Sequence, residues 1–415
     1  MRIALVAPLA EAVPPKLYGG TERVVFWLAE ALVRQGHRVA LFASAESETA
    51  AELIVCAPQS LRLAGIRDHL GSTLAMLREV RRRANDFDII HFHIDLLPQA
   101  LFQDLAHKCL VTLHGRLDLL DAFPLYQTYP EMPLVSISNA QRRPMPPHTN
   151  WLATIPHGLM PDVCPFNPDG GGYLAFLGRI SPEKRPDRAI EIAKHAGIPL
   201  KIAAKVDVVD RMYFKTEIEP LLDHPLVEFI GEIDEIQKAE FLGKARALLF
   251  PIDWPEPFGL VMIEAMSAGT PVIAWSNGSV PEVIRDGVSG RIVDSIEAAA
   301  EAARRASNMD RRKVRADFER RFTAERMAAA YLAAYRSLLA RASATMRLEH
   351  SMAPPAALEL LPPAWEEVAG ECDAKALNPT AAIASLQDLC AADQSRFSGT
   401  LSLNPSKSLT KPVGS

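Results

Sequence analysis

Residues 256–264 read EPFGLVMIE and join an apolar run at 247–252 (ALLFPI) to an apolar helical pattern, with a carboxylate at each end of the join. With the helix starting near Gly259, the backbone N–H groups of Gly259, Leu260 and Val261 have no partner within it. They point, with the positive end of the dipole, at whatever sits in front of the sheet. Glu256 lies in the loop facing that anion site, next to Phe258, and Glu264 stands further into the helix on a flank where a hydroxylated ligand can be gripped. Taken alone, two glutamates at this spacing also describe a helix start with one exposed acid, so the rest of the chain has to decide.

Matching pieces occur upstream. RIALVAP at 2–8 reads as a buried strand, and YGGTERVVFWLAEALVRQGHRVALF at 18–42 gives Gly19-Gly20, then Thr21 and Glu22 opening an amphipathic helix, then another strand. Gly19 and Gly20 permit close approach of a ligand to a helix N-terminus, or equally a simple tight turn. At 173–197, YLAFLGRISPEKRPDRAIEIAKHAG gives a strand, a loop carrying Arg179 and Lys184, and a helix. A guanidinium fork and an ammonium point charge on one loop suit a diphosphate; a solvated basic loop is the plainer alternative.

The order of these segments resembles the retaining, two-Rossmann-domain glycosyltransferases commonly called family 4, over roughly residues 1 to 340. It rests on the GGTE turn, His114 at the end of CLVTLHG, the GRISPEKRPD loop, VEFIGEID, EPFGLVMIEAMSAGTPVIA and NGSVPEVIRDGVSG. The resemblance implies the GT-B type of α/β fold: two Rossmann-like domains facing each other across a cleft, with a C-terminal helix crossing back to the first. It implies transfer of a sugar from a nucleoside diphosphate sugar to an acceptor hydroxyl on a glycan, lipid or small molecule, with retained configuration, no cofactor and no metal. By the same resemblance Glu256 hydrogen-bonds donor-sugar hydroxyls, Glu264 binds ribose hydroxyls, and His114 lies near the sugar from the first domain. Arg179, Lys184, Leu260, Val261 and Gly20 serve the phosphates, and Lys205 and Ile233 are further donor-side candidates.

Composition agrees. The 415 residues, 48% hydrophobic and 23% charged, suffice for two domains. A formal net charge of -5 gives no reason to expect nucleic acid as a partner. Arg81, Arg82 and Arg83 form a local basic cluster that can face anionic lipid or simply solvent, so peripheral contact with the inner face of a membrane is kept open. Five cysteines without a C-x-x-C pair argue against a disulfide framework or structural zinc and fit a cytoplasmic protein. MRIALVAPLAEA is read as the first strand rather than a signal peptide, and no apolar run reaches the length of a spanning helix.

Strand patterns RIALVAP, RVALFAS, DIIHFH, CLVTLH, PLVSIS and ATIPHG form a first series; YLAFLGR, PLKIAAKVD, VEFIGEI, ALLFPID, TPVIAWS and GRIVD form a second. PFNPDGGG at 165–172 separates them as a linker. The expected division is 1–165 for the acceptor-side domain, 166–324 for the donor domain, 325–344 for the returning helix and 345–415 for a largely disordered, Pro- and Ser-rich tail.

Three carboxylate or histidine groups invite a metal reading. Asp86-Phe87-Asp88 precedes its strand and so sits at the end of the sheet away from the cleft; His91, His93 and Asp95 share a strand face and read better as a polar strand end; Asp207 and Asp210 lack a third ligand nearby. The chain departs from the family pattern at His157, where asparagine is usual, at Asn277-Gly278, where two glycines are common, and at Ala204 and Val206, where glycines often sit. A nucleotide-sugar epimerase and a non-catalytic nucleotide-sugar sensor or scaffold are the rivals. A dinucleotide oxidoreductase lacks its G-x-G-x-x-G.

Overall fold

The computed structural model describes residues 1–16 and 19–352. Its first sheet holds β1 (Arg2–Val6), β2 (Arg38–Ser44), β3 (Glu52–Ala57), β4 (Ile89–Phe92), β5 (Cys109–Thr112), β6 (Leu134–Ser136) and β7 (Trp151–Thr154). Every neighbouring pair is parallel, in the order β3-β2-β1-β4-β5-β6-β7. The second sheet holds β8 (Tyr173–Arg179), β9 (Leu200–Lys205), β10 (Val227–Gly231), β11 (Ala245–Phe250), β12 (Val272–Trp275) and β13 (Gly290–Val293), again parallel, in the order β10-β9-β8-β11-β12-β13. Both are doubly wound Rossmann-type sheets.

Burial on both faces explains the near-continuous apolar strands, since crossover helices cover a parallel sheet on each side. Ile3, Ala4, Leu5 and Val6 of β1 are all fully buried. The helix Gly20–Arg34 buries Val24, Val25, Trp27, Leu28, Ala31 and Leu32, a stripe at helical spacing, and the chain leaves it through Gly36 in the left-handed region (φ 81°).

The strand β3 has no counterpart in the sequence reading. It is an edge strand with an irregular burial pattern and a 56% exposed Val55, so it lacks the apolar run that marks the interior strands.

The helix Ala324–Met352 packs on the first sheet. Tyr331 Oη lies 2.9 Å from Thr112 Oγ1, Tyr335 Oη lies 2.8 Å from His91 Nδ1, and Arg34 pairs with Glu325 at 2.8 Å. This helix continues past the boundary expected at 345, and the tail beyond Met352 falls outside the described residues. The linker is pinned rather than free: Arg311 donates to the carbonyls of Asn167, Ala245 and Gly243, and a Cβ at Gly170 would collide with its guanidinium. No helix among the described residues is long and apolar enough to cross a membrane.

Candidate active site

In each sheet the connections change direction between two adjacent strands, β1 and β4 in the first, β8 and β11 in the second, and the carboxyl ends of such strands leave a crevice. The loop after β1 leads to Gly19-Gly20. After β4 come His93 and Asp95; after β8 come Arg179 at the strand end and Lys184; after β11 comes the 251–259 loop with Glu256. A Cβ added to Gly20 would lie 3.4 Å from Leu260 Cδ1, so the starts of the helices Gly20–Arg34 and Leu260–Ser267 meet across the cleft. Two sets of unpaired N–H groups therefore come together, as an anion site requires.

The cations at this junction carry carboxylates as counter-ions. Lys184 Nζ pairs with Glu256 Oε2, which also accepts from Trp254 Nε1 at 3.0 Å, and the ammonium lies over the Trp254 and Phe250 rings at 5.0 and 5.6 Å. Arg179 meets Glu183 at 2.6 Å, Asp210 at 3.5 Å and Asp207 at 3.8 Å; Lys205 meets Asp207 at 3.0 Å. Glu264, 5% exposed, holds Lys238 at 2.6 Å; Lys238 reaches Glu235 at 2.9 Å, and Glu235 pairs with Arg23 of the first domain. This chain of charges connects the second glutamate of the motif to the GGTE helix.

The loop carrying Glu256 is held from behind. Gly259 caps its helix at φ 79°, where a Cβ would press on Met262, Phe250 and Glu256. Gly278, at φ 55°, lets the Asn277-Gly278-Ser279 turn lie directly on the Glu256 backbone, which a Cβ would strike at both N and O. Ser279 N donates to Glu256 O at 2.9 Å, Ser279 Oγ to Phe258 O at 2.8 Å, and Asn277 Nδ2 to Ile252 O at 2.8 Å. From the first domain, Ser138 Oγ donates to Pro257 O at 2.6 Å, and the N–H groups of Asn139 and Ala140 converge on Glu282 at 2.8 and 2.7 Å.

Four histidines make the floor. His114 Nε2 lies 2.9 Å from His93 Nδ1, and the His114 ring stacks on His157 at 5.2 Å and 17°, with Phe258 edge-on to His157 at 4.8 Å. Burial keeps all four neutral: it lowers the His114 pKa to about 3 and those of His91, His93 and His157 well below the usual range. Both ring nitrogens of His91 are taken, one by Tyr335 and one by Thr112, which makes it a hydrogen-bonded strand residue. Among the described residues no group of three or more His, Cys, Asp or Glu side chains is arranged to hold a metal ion.

Of the residues singled out in the sequence, Gly20 meets Leu260, Lys184 pairs with Glu256, and Arg179 and Lys205 share Asp207. Gly19 abuts Pro15 and Glu22. Phe258 is 3% exposed with its ring edge-on to His157 and Phe322, so the ring packs between the domains and only its backbone remains for a ligand. Ile233 is half-buried in the loop before the helix Glu235–Gly243, packed against the core. Asp88 pairs with Arg2 and Asp86 with Arg83, at the opposite end of β4. The Arg81–83 cluster is balanced by Asp104, Glu79, Glu52 and Asp86, so it is not a net basic face. Cavities of about 660 Å³, beside β13, and about 180 Å³, beside the linker, contain none of these residues.

Sequence reasoning missed Lys238, Arg23, Ser138 and the counter-ion role of Asp207 and Asp210. Each looks like an ordinary surface residue in its own segment, and only the tertiary approach of distant loops gives it a partner.

A family model described as "Glycosyl transferases group 1" matches residues 165–323, and one described as "Glycosyltransferase Family 4" matches residues 18–152. The chain is 26% identical to a phosphatidyl-myo-inositol mannosyltransferase of Mycobacterium leprae over 326 residues, covering 72% of this chain and 85% of that protein. Among solved structures it is similar to AviGT4, a glycosyltransferase involved in avilamycin A biosynthesis, with a TM-score of 0.65 and 24% identity over 82% of this chain and 98% of the other. It is also similar to Anabaena HepE in complex with UDP and glucose, with a TM-score of 0.60 and 18% identity over 81% and 100%. These structural likenesses bear on the fold, which is GT-B.

Proposed function

The chain belongs to glycosyltransferase family 4, and from that premise we propose that it moves a hexosyl group from a nucleoside diphosphate sugar to an acceptor hydroxyl with retention of configuration. The observation that carries this reading is the meeting of two helix starts, at Gly20 and Leu260, beside Lys184 and Glu256 at the switch points of both sheets. Departure of the diphosphate places negative charge on its terminal phosphate while the sugar becomes oxocarbenium-like. Lys184, Arg179 and the helix N–H groups meet the first need. Glu256 and the neutral histidine floor meet the second, since none of the four imidazoles carries a charge that would oppose a positive anomeric carbon.

The bookkeeping of charge suggests an exchange. The incoming diphosphate takes over Lys184 and Arg179 from Glu256, Glu183, Asp207 and Asp210, and Glu256 is released to accept hydroxyl hydrogen bonds from the sugar. Glu264, steadied by Lys238, accepts from the ribose hydroxyls. The acceptor oxygen attacks the anomeric carbon on the face the phosphate leaves, the carbon–phosphate oxygen bond breaks, and the acceptor proton passes to the departing phosphate oxygen. No cofactor or metal enters this scheme. HepE, in complex with UDP and glucose, makes a uridine donor the first to try.

Thermal shift against UDP-, GDP- and ADP-hexoses tests the reading, because a ligand at 100 times its dissociation constant stabilises the folded protein by about 2.7 kcal/mol. One base series should raise the midpoint. A flat response to all three would remove the donor assignment.

A further inference from the structure

Four charged side chains of alternating sign run across the cleft: Arg23 on the helix Gly20–Arg34, Glu235 and Lys238 on the helix Glu235–Gly243, and Glu264 on the helix Leu260–Ser267. Sequence spacing sets the middle pair. Asp234 and Gln237 close a capping box that starts the second of these helices at Glu235, so Glu235 and Lys238 stand one turn apart on one face, 2.9 Å from each other. Lys238 Nζ reaches Glu264 Oε1 at 2.6 Å with both side chains buried, and Arg23 of the first domain closes the other end on Glu235. Burial lowers the Lys238 pKa, but Glu264, and after it Glu235, raise it by more, against the opposing effect of Arg23, so the ammonium keeps its charge. Each member is held in place by the next.

We propose that this chain of charges makes recognition of the donor's ribose depend on apposition of the two domains: Lys238 positions Glu264 for the ribose hydroxyls, and Arg23, acting through Glu235, positions Lys238. The inference rests on the glycosyl-transfer reading, in which Glu264 accepts from the ribose, and adds a residue of the opposite domain to that recognition. An ionised carboxylate only accepts, so it reads a hydroxyl by standing where that hydroxyl can donate. Lys238 fixes the place, as one ammonium shared between two carboxylates. Glu235 is the more exposed of the two, 38% against 7% for the Glu264 side chain, and Arg23 is what keeps its carboxylate turned inward. With the domains apart Arg23 is withdrawn, Glu235 turns to solvent, and Lys238 loses one of its two anchors. Coupling of this kind is reciprocal: apposition tightens the hold on a ribose, so a ribose favours apposition and a deoxyribose favours it less. Arg23, Glu235 and Lys238 touch no donor atom in this scheme and are positioning residues.

Calorimetry on the full-length protein with UDP, 2′-deoxy-UDP and 3′-deoxy-UDP, or the matching set for whichever base the thermal shift selects, tests the coupling. The readout is the ratio of deoxy to ribo dissociation constants, which a loss of stability alone would not move. Wild type should prefer the ribonucleotide by about tenfold, within the usual range of coupling between sites. E235Q and R23Q should bring the ratio down to about twofold or less, as E264Q does directly, and R23K should restore it. E235Q alters a partly exposed side chain and so keeps the test open if R23Q fails to fold. An undiminished ratio in folded E235Q overturns the coupling alone, and so does a wild type that binds ribo- and deoxynucleotides equally. Binding of none of UDP, GDP and ADP overturns the donor reading and the coupling with it.

Discussion

Glu256 is counter-ion to Lys184 and acceptor for Trp254 Nε1, and in the transfer we propose it accepts from sugar hydroxyls once the diphosphate has taken Lys184. E256Q keeps the shape but not the charge. We expect turnover to fall by about 10²-fold or more, the range for loss of one preorganised electrostatic group, with nucleotide binding retained; near-wild-type transfer would refute the role. Gly278 is constrained by position rather than chemistry, because a Cβ there strikes the Glu256 backbone. G278A should cost about 1–3 kcal/mol in urea unfolding and depress turnover with it, since relief can come only by displacing the loop that holds Glu256. His157 carries a pH signature. Its folded pKa lies far below the value near 6.5 of an unfolded histidine, so protons favour the unfolded chain and stability is lost as pH falls below about 6. Asp95, raised to about 6, works the other way, its stabilising share being present below about pH 4 and lost as pH rises through 6. H157N should flatten the acid limb of stability against pH by up to about 1.4 kcal/mol per pH unit. An unchanged limb would mean that His157 is charged in the folded state.

At the scale of elements, the turn after β9 acts as an internal anion. Asp207 and Asp210 stand on Arg179, and Asp207 also on Lys205, all of them partly exposed to solvent. Exposed ion pairs of this kind are each worth about 0.2–1 kcal/mol. D207N should therefore tighten UDP binding only about two- to fivefold by calorimetry, and weaker binding would show that Asp207 orients Arg179 rather than competing for it. The long C-terminal helix is fastened to the first sheet by two phenols, Tyr331 on Thr112 and Tyr335 on His91. Y335F leaves His91 Nδ1 buried without its partner and should cost about 1–3 kcal/mol, read as a lower urea midpoint with unchanged slope.

For the whole molecule, the first domain brings Gly20, His114 and Ser138 to the cleft and the second brings Lys184, Glu256 and Glu264, so the site exists only while the two are apposed. The linker at 165–172 is held against the second domain by Arg311, which donates to Asn167 O and packs on Gly170. Arg23–Glu235, Ser138–Pro257 and Asn139–Glu282 are the links that opening would have to break. Every site residue lies before residue 353. Removal of 353–415 should leave transfer at the full-length rate in a coupled assay; loss of activity in a folded truncation would show that the tail completes the site.

Much of this was legible in the chain itself. Long apolar runs separated by helical stripes determined two parallel sheets, because a strand buried on both faces must be apolar throughout, and the positions of Gly20, Lys184, Glu256 and Leu260 after strand patterns put them at the carboxyl ends where such sheets bind ligands. The edge strand β3 escaped because half-exposed strands lack that mark. What only tertiary structure decided was pairing: which carboxylate neutralises Lys184, that Lys238 and Arg23 tie Glu264 to the opposite domain, that His157 stacks on His114, and that Gly278 lies on Glu256. These partners stand far apart in sequence, and periodicity reports only the face on which a residue lies, whereas a hydrogen bond or ion pair depends on ångström-scale approach of loops that share no local pattern.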